Sequence, residues 1–332
     1  MRILRAGLVI ALALAFSAAA ARAEPPFAVE VESRPIANFM LGSAETRFGA
    51  LEFAGGFEMR SQAQVFGQLS ALRFLSPGGE FVGVADHGYW VFGRILRDAA
   101  GAPHGVADFR MQAMVDRDGR TVDDKTLADA EGLEVTDGVA TVSFEREARL
   151  SEYRLGPEGA TGPLADLDFV IPRRELRFNR GMETVVRAPA EGALQGARIV
   201  IAERSIDGDG NLFAAIVEGP GRGVFKVRRS DGFDVTDAAF LPGGDLVLLE
   251  RRISLASGIG MRLRRIAGAA LAPGALVDGE VLMQADLAHR IDNMEGIDAW
   301  RREDGAIVLS LVSDDNQSFM QRTVYLEFVL KE

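Results

Sequence analysis

Acidic residues recur along the sequence at similar intervals, each near the start of a short apolar segment. Glu131, Glu183, Asp237 and Glu295 hold these positions and are separated by about 52 to 58 residues. Hard divalent cations prefer carboxylate oxygens, and the chain contains no Cys and only three His. Together with Asp314, these residues are therefore candidate ligands for Ca²⁺ or Mg²⁺. The alternative is that each carboxylate accepts hydrogen bonds from backbone N–H groups of a neighbouring unit.

Glu-Arg pairs form a second repeated feature, at 145–146, 203–204 and 250–251, and each pair ends an apolar segment. A planar guanidinium can hold a phosphate or a carboxylate through two parallel hydrogen bonds. Arg146, Arg204 and Arg251 are therefore candidate substrate-binding residues. The alternative for each of them is an ordinary surface ion pair.

His87 lies in an Asp86-His87-Gly88 segment, where later units carry Glu-Arg. Because imidazole exchanges a proton near neutral pH, we predict His87 as a general acid or base, with Asp86 and Glu145 as further catalytic candidates. The alternative is a His packed in a turn. The motifs of serine hydrolases, P-loop proteins and zinc proteases are lacking. Residues 207–211 resemble half of an EF-hand loop and predict a tight turn that could bind Ca²⁺ weakly.

Short apolar segments separated by Gly, Pro and Asp-Gly turns must position these side chains. Such segments predict an all-β protein. Five units of strand, turn, strand and acidic residue recur with a period of about 56 residues. β-Propeller blades repeat about every 40 to 50 residues, and loop insertions would explain the slightly longer period here. The inner strands of a propeller line its central channel, so the acidic residues would meet at one mouth of that channel.

The number of blades depends on the two ends of the chain. Residues 47–60 form a further hairpin that could complete a sixth blade with a strand over residues 323–330, which would remove a free sheet edge. We expect six blades, with five as the alternative. A pair of β-sandwich domains is the competing architecture.

Residues 1–23 have the pattern of a cleaved signal peptide: Arg2 and Arg5, an apolar run, and Ala21-Arg22-Ala23. An N-terminal membrane anchor is the alternative. We expect residues 24–332 to form one exported domain, periplasmic or secreted, monomeric and without a transmembrane segment. The formal net charge of −11 excludes a general nucleic-acid-binding protein, and the lack of Cys excludes disulfides and thiolate metal sites.

The order of several short motifs resembles the esterase-like phytase family, whose members share a phytase-like domain. The motifs are Phe66-Gly67-Gln68-Leu69-Ser70-Ala71-Leu72, Ala85-Asp86-His87-Gly88, Asp129-Ala130-Glu131-Gly132-Leu133, Ser143-Phe144-Glu145-Arg146, Asn179-Arg180-Gly181-Met182-Glu183, Asn293-Met294-Glu295-Gly296-Ile297 and Val312-Ser313-Asp314-Asp315-Asn316. This resemblance implies an exported β-propeller that hydrolyses phosphate or other esters, with Ca²⁺ at an acidic mouth. Asn179 and Asn316 lie within the motifs, and we predict that they contact the substrate.

The predicted function is therefore Ca²⁺-assisted hydrolysis of a small phosphorylated or ester substrate. Since the chain has only three Lys, Arg would have to hold the phosphate, which argues against phytate itself. The alternative function is a non-catalytic exported propeller that binds a ligand or a protein partner.

Overall fold

The computed structural model describes residues 23–122, 124–254 and 258–331, and these are mostly β-strand. The strands are β1 (Phe27–Ala28), β2 (Glu32–Ile36), β3 (Arg47–Phe48), β4 (Leu51–Arg60), β5 (Leu69–Phe74), β6 (Glu80–Ala85), β7 (Tyr89–Arg97), β8 (Pro103–Ala113), β9 (Ala130–Thr136), β10 (Val139–Phe144), β11 (Arg149–Gly156), β12 (Gly159–Leu167), β13 (Met182–Arg187), β14 (Arg198–Ile206), β15 (Leu212–Ile216), β16 (Gly223–Val227), β17 (Asp234–Phe240), β18 (Leu246–Ser254), β19 (Gly258–Ile266), β20 (Leu276–Val277), β21 (Glu280–Ala285), β22 (Asn293–Arg301), β23 (Ile307–Asp314) and β24 (Thr323–Leu330). A short helix α1 (Lys125–Ala128) and 3₁₀ turns at Arg173–Glu175 and Gly268–Ala270 accompany them. In these ranges no helix has the length and apolar character needed to cross a bilayer.

The strands form five sheets, which are the five blades of a β-propeller. From the channel outwards, blade 1 is β5-β6-β7-β8-β1 and blade 2 is β9-β10-β11-β12. Blade 3 is β13-β14-β15-β16-β20, blade 4 is β17-β18-β19-β21, and blade 5 is β22-β23-β24-β4-β2, with β3 paired to β4. The inner strands β5, β9, β13, β17 and β22 contact one another in this order around the channel and close the ring.

The prediction of six blades is wrong, and the five-blade alternative is confirmed. The predicted pairing of the two chain ends does occur, since β4 pairs antiparallel with β24. However, β24 also pairs with β23, so the N-terminal hairpin completes blade 5 instead of starting another. This pairing joins β2 and β4 near the N-terminal end with β24 near the C-terminal end in one sheet, which closes the ring.

Turn residues connect the strands as their sequence predicts. Between β9 and β10, Asp137 and Gly138 both adopt positive φ, of 51° and 72°. A two-residue hairpin with positive φ at both positions is the turn that Asp-Gly favours.

The core consists of five apolar layers, one between each pair of neighbouring blades. Leu133 and Val142 of blade 2, for example, pack with Val82 and Trp90 of blade 1. The inner strands also approach closely: a Cβ at Gly132 would lie 2.5 Å from the backbone oxygen of Glu183. This close packing holds the channel-lining side chains of adjacent blades within reach of one another.

Candidate functional site

A β-bulge lies near the start of each inner strand, and in four of the five blades the bulged side chain lines the same mouth of the channel. The pairing of each inner strand with its neighbour shifts register at this point. The bulged residues are Ser70, Glu131, Glu183, Thr236 and Glu295. An extra residue in a strand redirects its side chain, and here the repeat brings three glutamates together.

A second ring of side chains comes from the strand next to each inner strand. Each member pairs with the residue that lies two positions before the bulged residue of its blade. In blade 2, for example, the Glu145 N–H donates to the Asp129 carbonyl at 3.0 Å. The ring contains Asp86, Glu145, Glu203, Arg251 and Asp314. Four blades thus contribute a carboxylate at this position, and blade 4 contributes a guanidinium.

All members of these two rings except Thr236 line a cavity of about 290 Å³ at the mouth. Ten of the residues predicted from the sequence line it: Asp86, Glu131, Glu145, Arg146, Asn179, Glu183, Arg251, Glu295, Asp314 and Asn316. Among its described lining residues the cavity carries eight carboxylates against four basic groups. The ionised cavity is therefore strongly acidic, and a cation or protons must balance it.

Arg251 compensates part of this negative charge. It donates to Glu203 at 2.9 Å and to Asn293 at 2.7 Å, and it also pairs with Glu295. Arg180 reaches Glu203 from the rim, at 3.3 Å. Blades 3, 4 and 5 are thus joined by a buried ion-pair network.

Asp129 likewise pairs with Arg146 at 3.1 Å, whereas Glu131, Glu145 and Glu183 form no ion pair with a basic side chain of the described residues. Two groups of three could hold a metal ion, because the ligand oxygens within each group all lie within 4.8 Å of one another. One group is Asp129, Glu131 and Glu145, and the other is Glu145, Glu183 and Glu203. Glu145 belongs to both groups and accepts a hydrogen bond from the Gly181 N–H at 3.0 Å. The donor set consists of oxygen atoms alone, which suits Ca²⁺ or Mg²⁺.

Crowding and burial shift the pKa values of these carboxyl groups upwards. Burial, with the charge of Glu203, raises the pKa of Glu145 to about 7. Burial raises the pKa of Glu295 to about 8, although the nearby Arg251 opposes this shift, and it raises that of Asp314 to about 7. The pKa values of Glu131 and Glu183 lie well above the usual range, through burial and then through neighbouring carboxylates.

An ion pair closes the channel below this cavity. Arg73 donates to both carboxylate oxygens of Asp237, at 2.7 and 2.8 Å, and to the Ile297 carbonyl at 2.7 Å. Asp237 also accepts from the Ile297 N–H at 2.9 Å. Arg73 lines a separate cavity of about 510 Å³ at the opposite end. The mouth cavity is therefore a pocket with a floor and does not continue through the channel.

Three predicted residues lie outside the lining of the mouth cavity. Asp237 is buried in the channel floor and bonds backbone of the next blade, which is the alternative considered for these carboxylates. His87 bonds the Val65 carbonyl at 3.0 Å and packs against the Tyr89 ring, as expected of a His held in a turn. Arg204 is partly exposed and lies 3.8 Å from Asp234.

The EF-hand-like segment forms a tight turn. The Asp207 carboxylate accepts from the N–H groups of Asp209 and Asn211, both at 2.9 Å. It also pairs with Lys226 at 2.5 Å. The Lys226 ammonium group thus pairs with the carboxylate that a Ca²⁺ ion would need as a ligand.

Sequence reasoning missed seven residues of the cavity, namely Ser70, Lys125, Asp129, Arg180, Glu203, Ile253 and Asn293. Strand alternation was a usable signal for Asp129, which lies two positions before Glu131 and faces the same side. Glu203 belongs to a Glu-Arg pair in the sequence, but only the Arg of that pair, Arg204, is predicted as a site residue. Lys125 comes from α1 and pairs with Asp86 at 2.9 Å, a contact that no local pattern indicates.

The sequence model of the family described as "Phytase-like: Esterase-like activity of phytase" matches residues 64–317. The chain belongs to the phytase-like family. This confirms the resemblance found in the motifs, and the matched region includes every lining residue of the mouth cavity.

The phytase-like chain also has distant similarity to proteins of known structure. No curated protein matches it at a significant level. Among solved structures, glutaminyl cyclase of Myxococcus xanthus is 11% identical, with 80% of this chain and 92% of that chain covered and a TM-score of 0.41. The PQQ-bound aldose sugar dehydrogenase of Streptomyces coelicolor is 12% identical, with 91% and 100% covered and a TM-score of 0.40. An α-L-arabinofuranosidase of Podospora anserina is also 12% identical, with 85% and 97% covered and a TM-score of 0.38.

Proposed function

We propose that this phytase-like protein hydrolyses small phosphate esters at the propeller mouth with the help of bound Ca²⁺. The observation that carries the proposal is the position of Glu145, which belongs to two adjacent groups of carboxylates. Two cations side by side are an arrangement suited to phosphate chemistry. The family membership supports ester hydrolysis as the reaction class.

The residues present fit a hard divalent cation. Asp129, Glu145, Glu183 and Glu203 are all buried, and the Asp129 Oδ2 atom pairs with Arg146 Nε at 3.1 Å. Buried carboxylates that repel one another are stabilised when a cation lies between them. When bound, Ca²⁺ would neutralise the ester and lower the pKa of an attacking water.

The basic side chains of the mouth would orient the anionic ester. Arg251 is already bonded to Glu203 and Glu295, so we assign it to holding the carboxylate ring in place. Arg146 and Arg180 are more exposed than Arg251, at 28% and 43% of their side-chain surface against 16%. Each already pairs with one carboxylate, Arg146 with Asp129 at 3.1 Å and Arg180 with Glu203 at 3.3 Å. Both guanidinium groups can hold phosphate oxygens through paired hydrogen bonds.

Asp314 is the best candidate for proton transfer. It lies outside both carboxylate groups, and burial raises its pKa to about 7. A group with a pKa near the working pH can both accept and release a proton during the reaction. We therefore place the general acid or base at Asp314 and not at His87. The Asn316 N–H donates to Asp314 at 2.6 Å, and Asn179 is a further residue of the cavity wall.

The experiment is an assay of the purified protein on phosphate esters and on carboxylic esters, with Ca²⁺ and with a chelator. We expect phosphate release with Ca²⁺ and a loss of at least about 100-fold in the chelator or in Glu145→Gln. Glu303→Gln, an exposed residue at the opposite end of the propeller, is the matched control. Ca²⁺ binding without turnover of any ester would instead support a propeller that only binds a ligand.

We also propose that the protein is exported and acts as a monomer. The support for export is the signal-peptide pattern of residues 1–23, of which residues 1–22 lie outside the described residues. N-terminal sequencing of protein from a periplasmic or culture fraction should begin at Glu24. A chain that retains residues 1–23 would contradict export by this signal.

A further inference from the structure

The most exposed large apolar side chains lie at the mouth end of the propeller, in or next to segments that line the cavity. In the described ranges, four such side chains exceed 60% exposure: Phe319 at 98%, Met320 at 78%, Phe178 at 69% and Ile253 at 68%. We call these four residues the apolar rim. Exposed apolar groups are common on proteins when they are scattered, but a cluster around a polar cavity indicates a binding surface.

Chain connections place the rim around the cavity. Ile253 itself lines the cavity, and Phe178 directly precedes the lining residue Asn179. Phe319 and Met320 lie in the turn that starts at the lining residue Asn316 and joins β23 to β24. The four residues of the apolar rim therefore lie at the mouth end of blades 3, 4 and 5.

The closed floor determines where a large substrate must extend. The cavity of about 290 Å³ is lined mainly by charged groups, and the Arg73–Asp237 pair seals it below. A charged head group fits this environment, but a longer apolar portion does not. Any further part of the substrate has to leave through the mouth, where it meets the apolar rim.

We propose that the substrate is an amphiphilic phosphate ester, with the phosphate in the acidic cavity and an apolar alcohol portion on the apolar rim. The proposal rests on the proposed function for the identity of the head group. The rim residues act in specificity, because they contact the part of the substrate that does not react. Apolar area buried against them strengthens binding in proportion to the chain length of the alcohol.

The test uses butyl, hexyl and octyl phosphate as free monomers in the presence of Ca²⁺. We expect kcat/KM to rise by about 10-fold from butyl to octyl phosphate. In the double variant Phe319→Ser/Met320→Ser this rise should fall below about threefold, with butyl phosphate turnover unchanged. Both residues are exposed, so the variant should fold. Leu75→Ser, at a 49% exposed Leu in the β5–β6 turn at the other end, is the matched control.

Binding of butylphosphonate and octylphosphonate, measured by calorimetry, separates this proposal from the hydrolase proposal. A preference for octylphosphonate that the double variant loses supports the apolar rim even if no ester is hydrolysed. Equal binding of the two phosphonates, or a preference that the double variant keeps, overturns it. Sedimentation with phosphatidylcholine–phosphatidylglycerol vesicles that depends on the rim, without any preference for octylphosphonate, also overturns it and indicates membrane docking.

Discussion

Arg251 of blade 4 lies 2.9 Å from Glu203 of blade 3 and occupies the position at which the other four blades carry a carboxylate. The guanidinium of Arg251, in place of a carboxylate, thus adds one positive charge to the acidic ring. It pairs with Glu203 and Glu295 of blades 3 and 5, and leaves Glu131, Glu145 and Glu183 of blades 2 and 3 without a basic partner among the described residues. The asymmetry of the mouth thus follows from one departure from the repeat.

Removal of the Arg251 guanidinium should destabilise the protein. Arg251→Met leaves the buried Glu295 without its guanidinium and Glu203 with Arg180 alone, and loss of one partner costs about 3–5 kcal/mol for comparable buried pairs. The free energy of unfolding, measured in urea with a chelator present, checks this result. Arg302→Met, at an exposed position, serves as the control. A loss below about 1 kcal/mol would mean that the network contributes no more than a surface ion pair.

The metal-free protein should become less stable as the pH rises from about 5 to 8. The pKa of Glu145 is raised to about 7 and that of Glu295 to about 8, so the folded state binds protons more tightly than the unfolded chain. This stabilisation is fully present below the unfolded pKa of about 4.5 and is lost as the pH rises through the folded values. Calorimetric Tm values in a chelator check the trend.

Calcium should remove most of this pH dependence, because a bound cation stabilises the ionised carboxylates. The increase in Tm on adding Ca²⁺ should therefore be larger at pH 8 than at pH 5. A calcium effect that is equal at both pH values would argue against binding at these carboxylates.

Asp237 should matter for stability but not for cation binding. Asp237→Leu leaves the buried Arg73 without its carboxylate and should cost about 3–5 kcal/mol. The double variant Arg73→Met/Asp237→Leu should recover most of this loss, because it replaces the whole pair with apolar groups. Calorimetric titration with Ca²⁺ should give the same affinity for the double variant as for the wild type. A lower affinity would indicate that Asp237 is a Ca²⁺ ligand.

The sequence predicted the propeller and most of its mouth, because both depend on local repeats. Alternating turns and short apolar segments predict strands, and Glu131, Glu183 and Glu295 share the bulge position of their blades. The fourth blade carries Thr236 at this position, and the acidic Asp237 follows it. A bulge shifts register by one residue, which a repeat read from acidic residues alone does not reveal.

Long-range pairing explains the remaining differences. The number of blades depends on whether β4 joins the sheet of β23 or starts another, and this is decided by contacts between residues more than 250 positions apart. Similarly, the partner of Arg73 lies 164 residues away in the chain, so its ion pair with Asp237 has no local signature.

Calorimetric titration of the metal-free protein with Ca²⁺ at pH 7.5 tests the central claim most directly, with wild type, Glu145→Gln and Glu303→Gln compared. We predict two sites in the wild type and in Glu303→Gln. We predict at least about 10-fold weaker binding at both sites in Glu145→Gln, since one carboxylate serves both groups. Wild-type protein that binds no Ca²⁺, or a Glu145→Gln isotherm equal to that of the wild type, would contradict a shared cation site at the propeller mouth.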